Sequence, residues 1–419
     1  MQIKNLLLLS IITGIVTGIV IVIYGILTEF LKYILFFGDP MESISKLPFW
    51  YVLLVPVFSI LIVNFLITKR ETVKEYGVEE IAEAVVQNRM IFGIKDLILK
   101  IIASSLSLAS GFAVGNEGPS AAIGAMIASK LHPIFKLPKE LMRISISIGA
   151  SSGIAAIFVS PVTGIMFAIE NIAYSFVRDY VGYLIIAGAL AFSVALYFLS
   201  PLVFHYSSGK FLEYRYIFAS ILFIPVITFF IYFYLGLKNR VLSILNFEIN
   251  EKFSKYKNYI FAITGGLIIG VILLISPFAA FSGHEVVDYL INDKFHLPFS
   301  LIFIVIVLRI VATAVSIYAN AVGGIFIALM SIGALVGYGF GEVLVKYGIH
   351  IEPFYFAAIG AAVFMGVNMK LPLTAVVLAL EITYDYNVIV PTAIIVVIVG
   401  YLVSLNFTIH KLQIRINSK

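Results

Sequence analysis

Ala113-Val-Gly-Asn-Glu-Gly-Pro-Ser120 is the stretch on which the fold turns. It places one ionisable side chain, Glu117, inside a chain hydrophobic enough to live in lipid, where a carboxylate is costly and needs a partner or a function. Gly115, Gly118 and Pro119 suit a loop that opens into a helix. Free N–H groups at such an opening attract anions, and the helix dipole adds to the attraction. A carboxylate held there competes with a small anion arriving from solution. Protonation neutralises it and releases it, so the motif has the makings of an anion gate that responds to pH.

Working outward, the 419 residues are 61% hydrophobic and 12% charged, with a mean hydropathy of +1.06. A soluble domain of this size cannot hide that much apolar surface. Ile11–Leu31, Tyr51–Thr68, Ile260–Ile275 and Val388–Leu405 approach the roughly 20 apolar residues that cross a bilayer. The runs are continuously apolar rather than alternating, which selects an all-α polytopic membrane protein over a β-barrel. The first apolar run is too long for a secretory signal and is expected to stay as a membrane helix. Lys4 and the basic tail from His410 to Lys419 put both termini in the cytoplasm by the positive-inside rule, with the cell membrane as the expected location. The net charge of +5 fits contact with lipid headgroups, and no basic cluster is long enough for nucleic acid. There are no cysteines, and the six histidines lack metal-ligand spacing, so no cofactor is expected.

The chain repeats itself. Ala113-Val-Gly and Ile123-Gly-Ala return as Ala321-Val-Gly and Ile332-Gly-Ala, and Pro161-Val-Thr-Gly-Ile-Met-Phe-Ala-Ile-Glu170 returns as Pro372-Leu-Thr-Ala-Val-Val-Leu-Ala-Leu-Glu381. The offsets, 321 − 113 = 208 and 372 − 161 = 211, nearly agree. Transporters built from such repeats bind their substrate between them, at half-helices whose N-termini point at the ligand. Ser110–Leu131 is rich in glycine, Gly323-Gly-Ile-Phe-Ile327 opens a second helix, and Pro161 and Pro372 open runs too short to cross. The expected division is a first repeat over 1–235, a polar connector over 236–257 and a second repeat over 258–419, with no soluble regulatory domain.

These motifs resemble those of the CLC family of chloride channels and chloride/proton antiporters. Gly115-Asn-Glu-Gly-Pro119 is similar to that family's G-x-E-G-P, and Gly323-Gly-Ile-Phe-Ile-Ala328 to its G-G-I-F-x-P, with Ala328 in place of proline. Ser160-Pro161 to Glu170 and Leu371-Pro-Leu-Thr374 to Glu381 resemble its two proline-opened helices. The motif order agrees from Tyr76 to Leu405. The resemblance implies two inverted-topology repeats with broken half-helices and a homodimer with an anion pathway in each subunit. It also implies backbone amides near Gly118, Ile325 and Phe326 around the anion, and Glu117 as the gating glutamate.

The chain also departs from the family pattern. The stretch matching the family's G-S-G-I-P is Glu75-Tyr-Gly-Val-Glu79, with Tyr76 at the serine position and Gly77 beside it. Tyr76 can supply a neutral phenolic donor to an anion that must bind and leave; as a residue beside a charged loop, it also suits an interfacial aromatic. Directly after Glu170, where family exchangers carry a proton-relay glutamate, stands Asn171, which cannot titrate. Residues 406–419 lack the family's C-terminal tyrosine, and Tyr401 falls too early to replace it. Glu170 and Glu381 suit pairing with backbone better than proton transfer, and Arg309, inside an apolar run, suits pairing or snorkelling.

The function expected is transport of chloride or a similar anion, coupled to protons. A passive channel, or an exchanger for fluoride or nitrate, is the alternative. An enzyme would need a nucleophile with its base, or a metal set; no His-Glu-x-x-His or Gly-x-Ser-x-Gly pattern occurs.

Overall fold

The chain is seen in a computed structural model that describes residues 2–70, 73, 81, 84–88, 93–172, 179–201, 203–204, 213–245, 256–291 and 299–417. Among these, the regular elements are helices. In chain order the principal ones are α1 (Gln2–Phe36), α2 (Phe49–Lys69), α3 (Ile94–Ala109), α4 (Glu117–Ile134), α5 (Met142–Phe158), α6 (Pro161–Phe167), α7 (Val181–Ala195), α8 (Tyr214–Leu245), α9 (Lys257–Ile275), α10 (His284–Ile291), α11 (Phe299–Tyr318), α12 (Phe326–Lys346), α13 (Pro353–Met369), α14 (Pro372–Thr383) and α15 (Ile389–Asn417). Eight helical stretches among the described residues are long and apolar enough to cross a bilayer. The all-α architecture read from the sequence is therefore present. The polar stretch expected as a connector over 236–257 begins inside α8, which runs on to Leu245.

The helices opened by Pro161 and Pro372 are too short to cross. α6 has 7 residues and α14 has 12, about 10 and 18 Å of rise against a hydrocarbon core of about 30 Å. Each starts on a proline at its first position, where the missing N–H costs nothing and the fixed φ suits the helix. The two pack against each other, while α4 lies on α5 and α12 on α13.

The two halves are built alike down to single contacts. A Cβ on Gly124 would collide with the Gly149 carbonyl oxygen, and a Cβ on Gly333 with that of Gly360. These glycines let α4 meet α5, and α12 meet α13, backbone to backbone, as small residues do in membrane helix pairs. The matching offsets are 333 − 124 = 209 and 360 − 149 = 211.

Arg309 of α11 is fully buried. It neither snorkels nor pairs with a carboxylate. Its guanidinium donates to the Phe278, Ala280 and Ser282 carbonyls at 3.0, 2.9 and 3.2 Å, tying down the loop before α10.

Because the helix contact at Gly124 has no room for a methyl group, Gly124→Ala is expected to destabilise the protein by about 1–3 kcal/mol through overpacking. Gly236→Ala, with open space around it, is the control and loses nothing. Thermal melts of the detergent-solubilised variants check this. Equal melting points would rule out the close approach.

Candidate functional site

The site forms where the chain enters α4 and α12. Gly115 N–H donates to the Gly324 carbonyl at 2.6 Å, and Gly324 N–H donates to the Gly115 carbonyl at 2.7 Å. This antiparallel pair is an isolated bridge between the halves. Two serines brace it reciprocally: Ser107 accepts from Val322 N–H at 3.0 Å, and Ser316 accepts from Ala113 N–H at 2.9 Å. One offset relates all of them: 324 − 115, 316 − 107 and 322 − 113 each equal 209. The helix starts at Glu117 and Phe326 share it, 326 − 117 = 209. Such mutual exchange is what a pseudo-twofold axis produces, and it sets two helix N-termini side by side. Neither opening has a side-chain cap, so its first N–H groups have no partner within the helix.

Glu117 is 1% exposed and folds back into this junction. A Cβ on Gly115 would collide with its Oε2, and one on Gly324 would stand 3.6 Å from the same oxygen and 3.0 Å from Gly118 N. Glycine at position 115 leaves room for the carboxylate, and glycine at 324 leaves room for the backbone at Gly118. Neither carboxylate oxygen makes a well-formed hydrogen bond; the nearest donors are its own backbone N–H and that of Ile327 in α12. The Phe326 ring packs against Phe158 at 4.7 Å and Phe167 at 6.2 Å between centroids, bringing the ends of α5 and α6 to the same place.

The other two half-helix openings are filled. Glu381 accepts from Val162 N–H at 3.0 Å, Thr163 N–H at 2.6 Å, the Thr163 hydroxyl at 2.6 Å and the Ser160 hydroxyl, all at the start of α6. Glu170 accepts from Leu373 N–H at 2.9 Å, Thr374 N–H at 2.8 Å and the Thr374 hydroxyl at 2.7 Å, at the start of α14. The pairing with backbone read from the sequence is what these two carboxylates do. Charge-assisted bonds of this kind are about twice as strong as neutral ones, so both act as permanent caps.

Beside the junction lies a vestibule of about 740 Å3 at the C-terminal end of α1, lined by Glu29, Lys32, Glu285, Asp288 and Asn116, the residue before Glu117. Lys32 Nζ stands 2.7 Å from Glu29 Oε1 and 2.7 Å from Glu285 Oε1. Burial alone would raise the Glu285 carboxyl, but the Lys32 ammonium against it and its own backbone N–H hold it down to about 2. Deeper along α1, Thr28 bonds Ser105 at 3.0 Å and Tyr24 bonds Ser104 at 2.6 Å.

Of the residues singled out from the sequence, Glu117, Gly118, Ile325 and Phe326 meet at the junction. Tyr76 and Gly77 lie outside the described residues. Glu170 and Asn171 lie in the π-helical turn Ala168–Ile172 after α6. Tyr401 is 63% exposed on α15, away from the junction. The sequence reading missed the Gly115–Gly324 bridge and the vestibule. The bridge had a signal, the paired Ala-Val-Gly triplets, but structural equivalence falls one residue later, on Gly324 rather than Gly323. Lys32 and Glu285 carry no local pattern; they are 253 positions apart.

A helical membrane protein with two paired half-helix openings around a buried carboxylate is the class this geometry defines. The chain belongs to the voltage gated chloride channel family, whose family model matches residues 57–405. Over 338 residues it is 27% identical to the H(+)/Cl(-) exchange transporter ClcA of Salmonella typhimurium, covering 76% of this chain and 68% of the relative, and equally to that of Salmonella typhi. Its fold is similar to that of a slow cyanobacterial Cl-/H+ antiporter, with a TM-score of 0.81 and 21% identity over 97% of this chain and 98% of the other. It is also similar to a CLC-type fluoride/proton antiporter, with a TM-score of 0.76 and 18% identity over 96% and 95%.

The low position of the Glu285 carboxyl has a sign that can be tested. A carboxylate depressed from 4.5 to about 2 adds stability that is fully present above about pH 4.5 and is lost as the pH falls toward 2. The melting temperature of the wild type should therefore fall more steeply than that of Glu285→Gln between those limits. Parallel pH profiles would mean that the Lys32–Glu285 pair does not hold α1 to α10.

Proposed function

We propose that this chain moves chloride, or a similarly small anion, through a pathway gated by Glu117, with protons moving in the opposite direction. The contrast among three carboxylates at helix openings carries the reading, and of the three only Glu117 is fully buried. Glu170 and Glu381 are each held by at least three good hydrogen bonds, whereas Glu117 has none of good geometry at the one pair of openings without another cap. A caged carboxylate stays. An uncaged one, in the place an anion would take, can leave when an anion displaces it or when a proton neutralises it. The names of the ClcA relatives and of the antiporters with a similar fold support proton coupling.

A passive channel for the same anion is the second reading, and Asn171 favours it. The residue after Glu170 cannot titrate, and Glu170 itself is committed to the start of α14. Under the exchanger reading, the proton reaches Glu117 through water or by way of Glu170. Fluoride and nitrate remain within the substrate class.

The same reading carries a homodimer in the cell membrane with both termini cytoplasmic. Half-helices that stop inside the bilayer need protein cover. Val162 and Leu373, at the starts of α6 and α14, are 47% and 53% exposed in the single chain, so a second copy over that face supplies the cover.

Purified protein in liposomes tests the proposal. A chloride gradient is expected to drive protons uphill in the wild type. Glu117→Gln, which mimics the protonated side chain, is expected to keep anion flux while losing both proton movement and pH dependence. Anion flux with the wild-type pH dependence after that substitution would overturn the gate, and downhill-only protons in the wild type would leave the channel.

A further inference from the structure

We propose that Lys32 forms an outer docking site for a small monovalent anion, and that the Glu29 carboxylate occupies this site as a built-in competitor. The inference rests on the anion-transport reading and adds a station ahead of the junction.

The two partners of Lys32 are unequal. The Glu285 side chain is 13% exposed, and its second oxygen also accepts from the Ser282 hydroxyl at 3.2 Å and Gly283 N–H at 3.1 Å. Arg309, behind it, fixes the loop that carries Ser282 and Gly283. That partner is permanent. The Glu29 side chain is 70% exposed, and its partner is Lys32, one turn further along α1. Lys32 is buried but Glu29 is open to water, so this pair is screened on the carboxylate side and an anion arriving through the vestibule can compete for the ammonium. An ammonium carries three N–H donors, so Lys32 can keep Glu285 while exchanging Glu29 for a halide.

The surroundings fit such an exchange. The cavity, about 740 Å3, is far larger than one halide needs, and the Asn116 side chain lines it; the Thr28 and Ser282 hydroxyls that also line it donate to the Tyr24 carbonyl and to Glu285. The charged and titratable groups facing Lys32 are Glu29 on α1 and His284, Glu285 and Asp288 on α10; Arg309 on α11 is spent on carbonyls. Among the described residues, Lys32 is the one lysine or arginine lining a mouth with three carboxylates, an arrangement that opposes anion entry unless one carboxylate can step aside. Glu29, 70% exposed and in direct contact with Lys32, is that one. Its role at Lys32 parallels that of Glu117 at the helix openings: an anion entering by the vestibule displaces a carboxylate twice, first from an ammonium and then from backbone amides.

The test uses the full chain and its Glu29→Gln variant, with chloride flux measured in liposomes at constant ionic strength in gluconate and with bromide soaked into crystals of each. Half-saturating chloride is expected to fall about two- to five-fold in Glu29→Gln, with anomalous density from bromide beside Lys32 Nζ. In a Lys32→Gln/Glu285→Gln background, which leaves neither member of the buried pair unpartnered, adding Glu29→Gln is expected to shift nothing. An unchanged half-saturation with no bromide at Lys32 would overturn the site. So would an equal shift in the background without Lys32, since the effect would then be a general field of the mouth. Failure of the transport reading is separate: it appears as absent chloride flux in the wild type, and bromide density beside Lys32 then decides the docking site by itself.

Discussion

Two hydrogen bonds between Gly115 and Gly324, at 2.6 and 2.7 Å, hold the rest of the site in place. They join the halves of the chain at the point where each enters a helix, and they do so without side chains. A side chain at Gly115 would fill the space the Glu117 carboxylate uses, and one at Gly324 would crowd the backbone at Gly118. The pair therefore sets two things at once. It brings the openings of α4 and α12 side by side, and it leaves between them the space that the Glu117 carboxylate occupies. Backbone donors suit this task because they are neutral, rigid and available at any helix start. They can hold an anion without binding it so tightly that it cannot go on.

Four half-helix openings meet a carboxylate in this fold, and their chemistry differs by local residues. At α6 and α14 a threonine at the third helical position adds its hydroxyl to the backbone donors, and the glutamate comes from the opposite half. Each acid thereby locks the two halves together. At α4 and α12 no hydroxyl assists, and the acid belongs to α4 itself, so it must fold back across Gly115 to reach α12. A short tether with weak geometry makes a replaceable ligand, and distant acids with several bonds make permanent ones. A similar inequality appears at the vestibule, where Glu285 has three hydrogen-bond donors and is 13% exposed, and Glu29 is 70% exposed.

Much of this was legible in the sequence, for physical reasons. Long apolar runs can only be membrane helices, and prolines after short polar breaks can only open new ones, so the positions of α6 and α14 followed from Pro161 and Pro372. The repeat was legible because both halves need glycine at the same approach points. Its register was not: offsets of 208 and 211 bracket the 209 that the contacts obey, because Gly323 and Gly324 offer two placements and only hydrogen bonding chooses between them. The pairing expected of Arg309 is present, but its partners were not legible, because a sequence displays charges and hides carbonyls; three of those carbonyls, on a loop some thirty residues upstream, bind the guanidinium. The vestibule cluster could not be foreseen, since Lys32 and Glu285 come together only once α1 packs beside α10.

The central claim is that Glu117 stands where a halide binds. Crystals of Glu117→Ala soaked in bromide test it most directly, because the substitution removes the competing carboxylate and leaves the backbone openings intact. Anomalous density is expected in the vacated space between Gly115 and Gly324, within hydrogen-bond reach of Ile327 N–H. A site that stays empty while the Gly115–Gly324 pair is preserved would contradict the account.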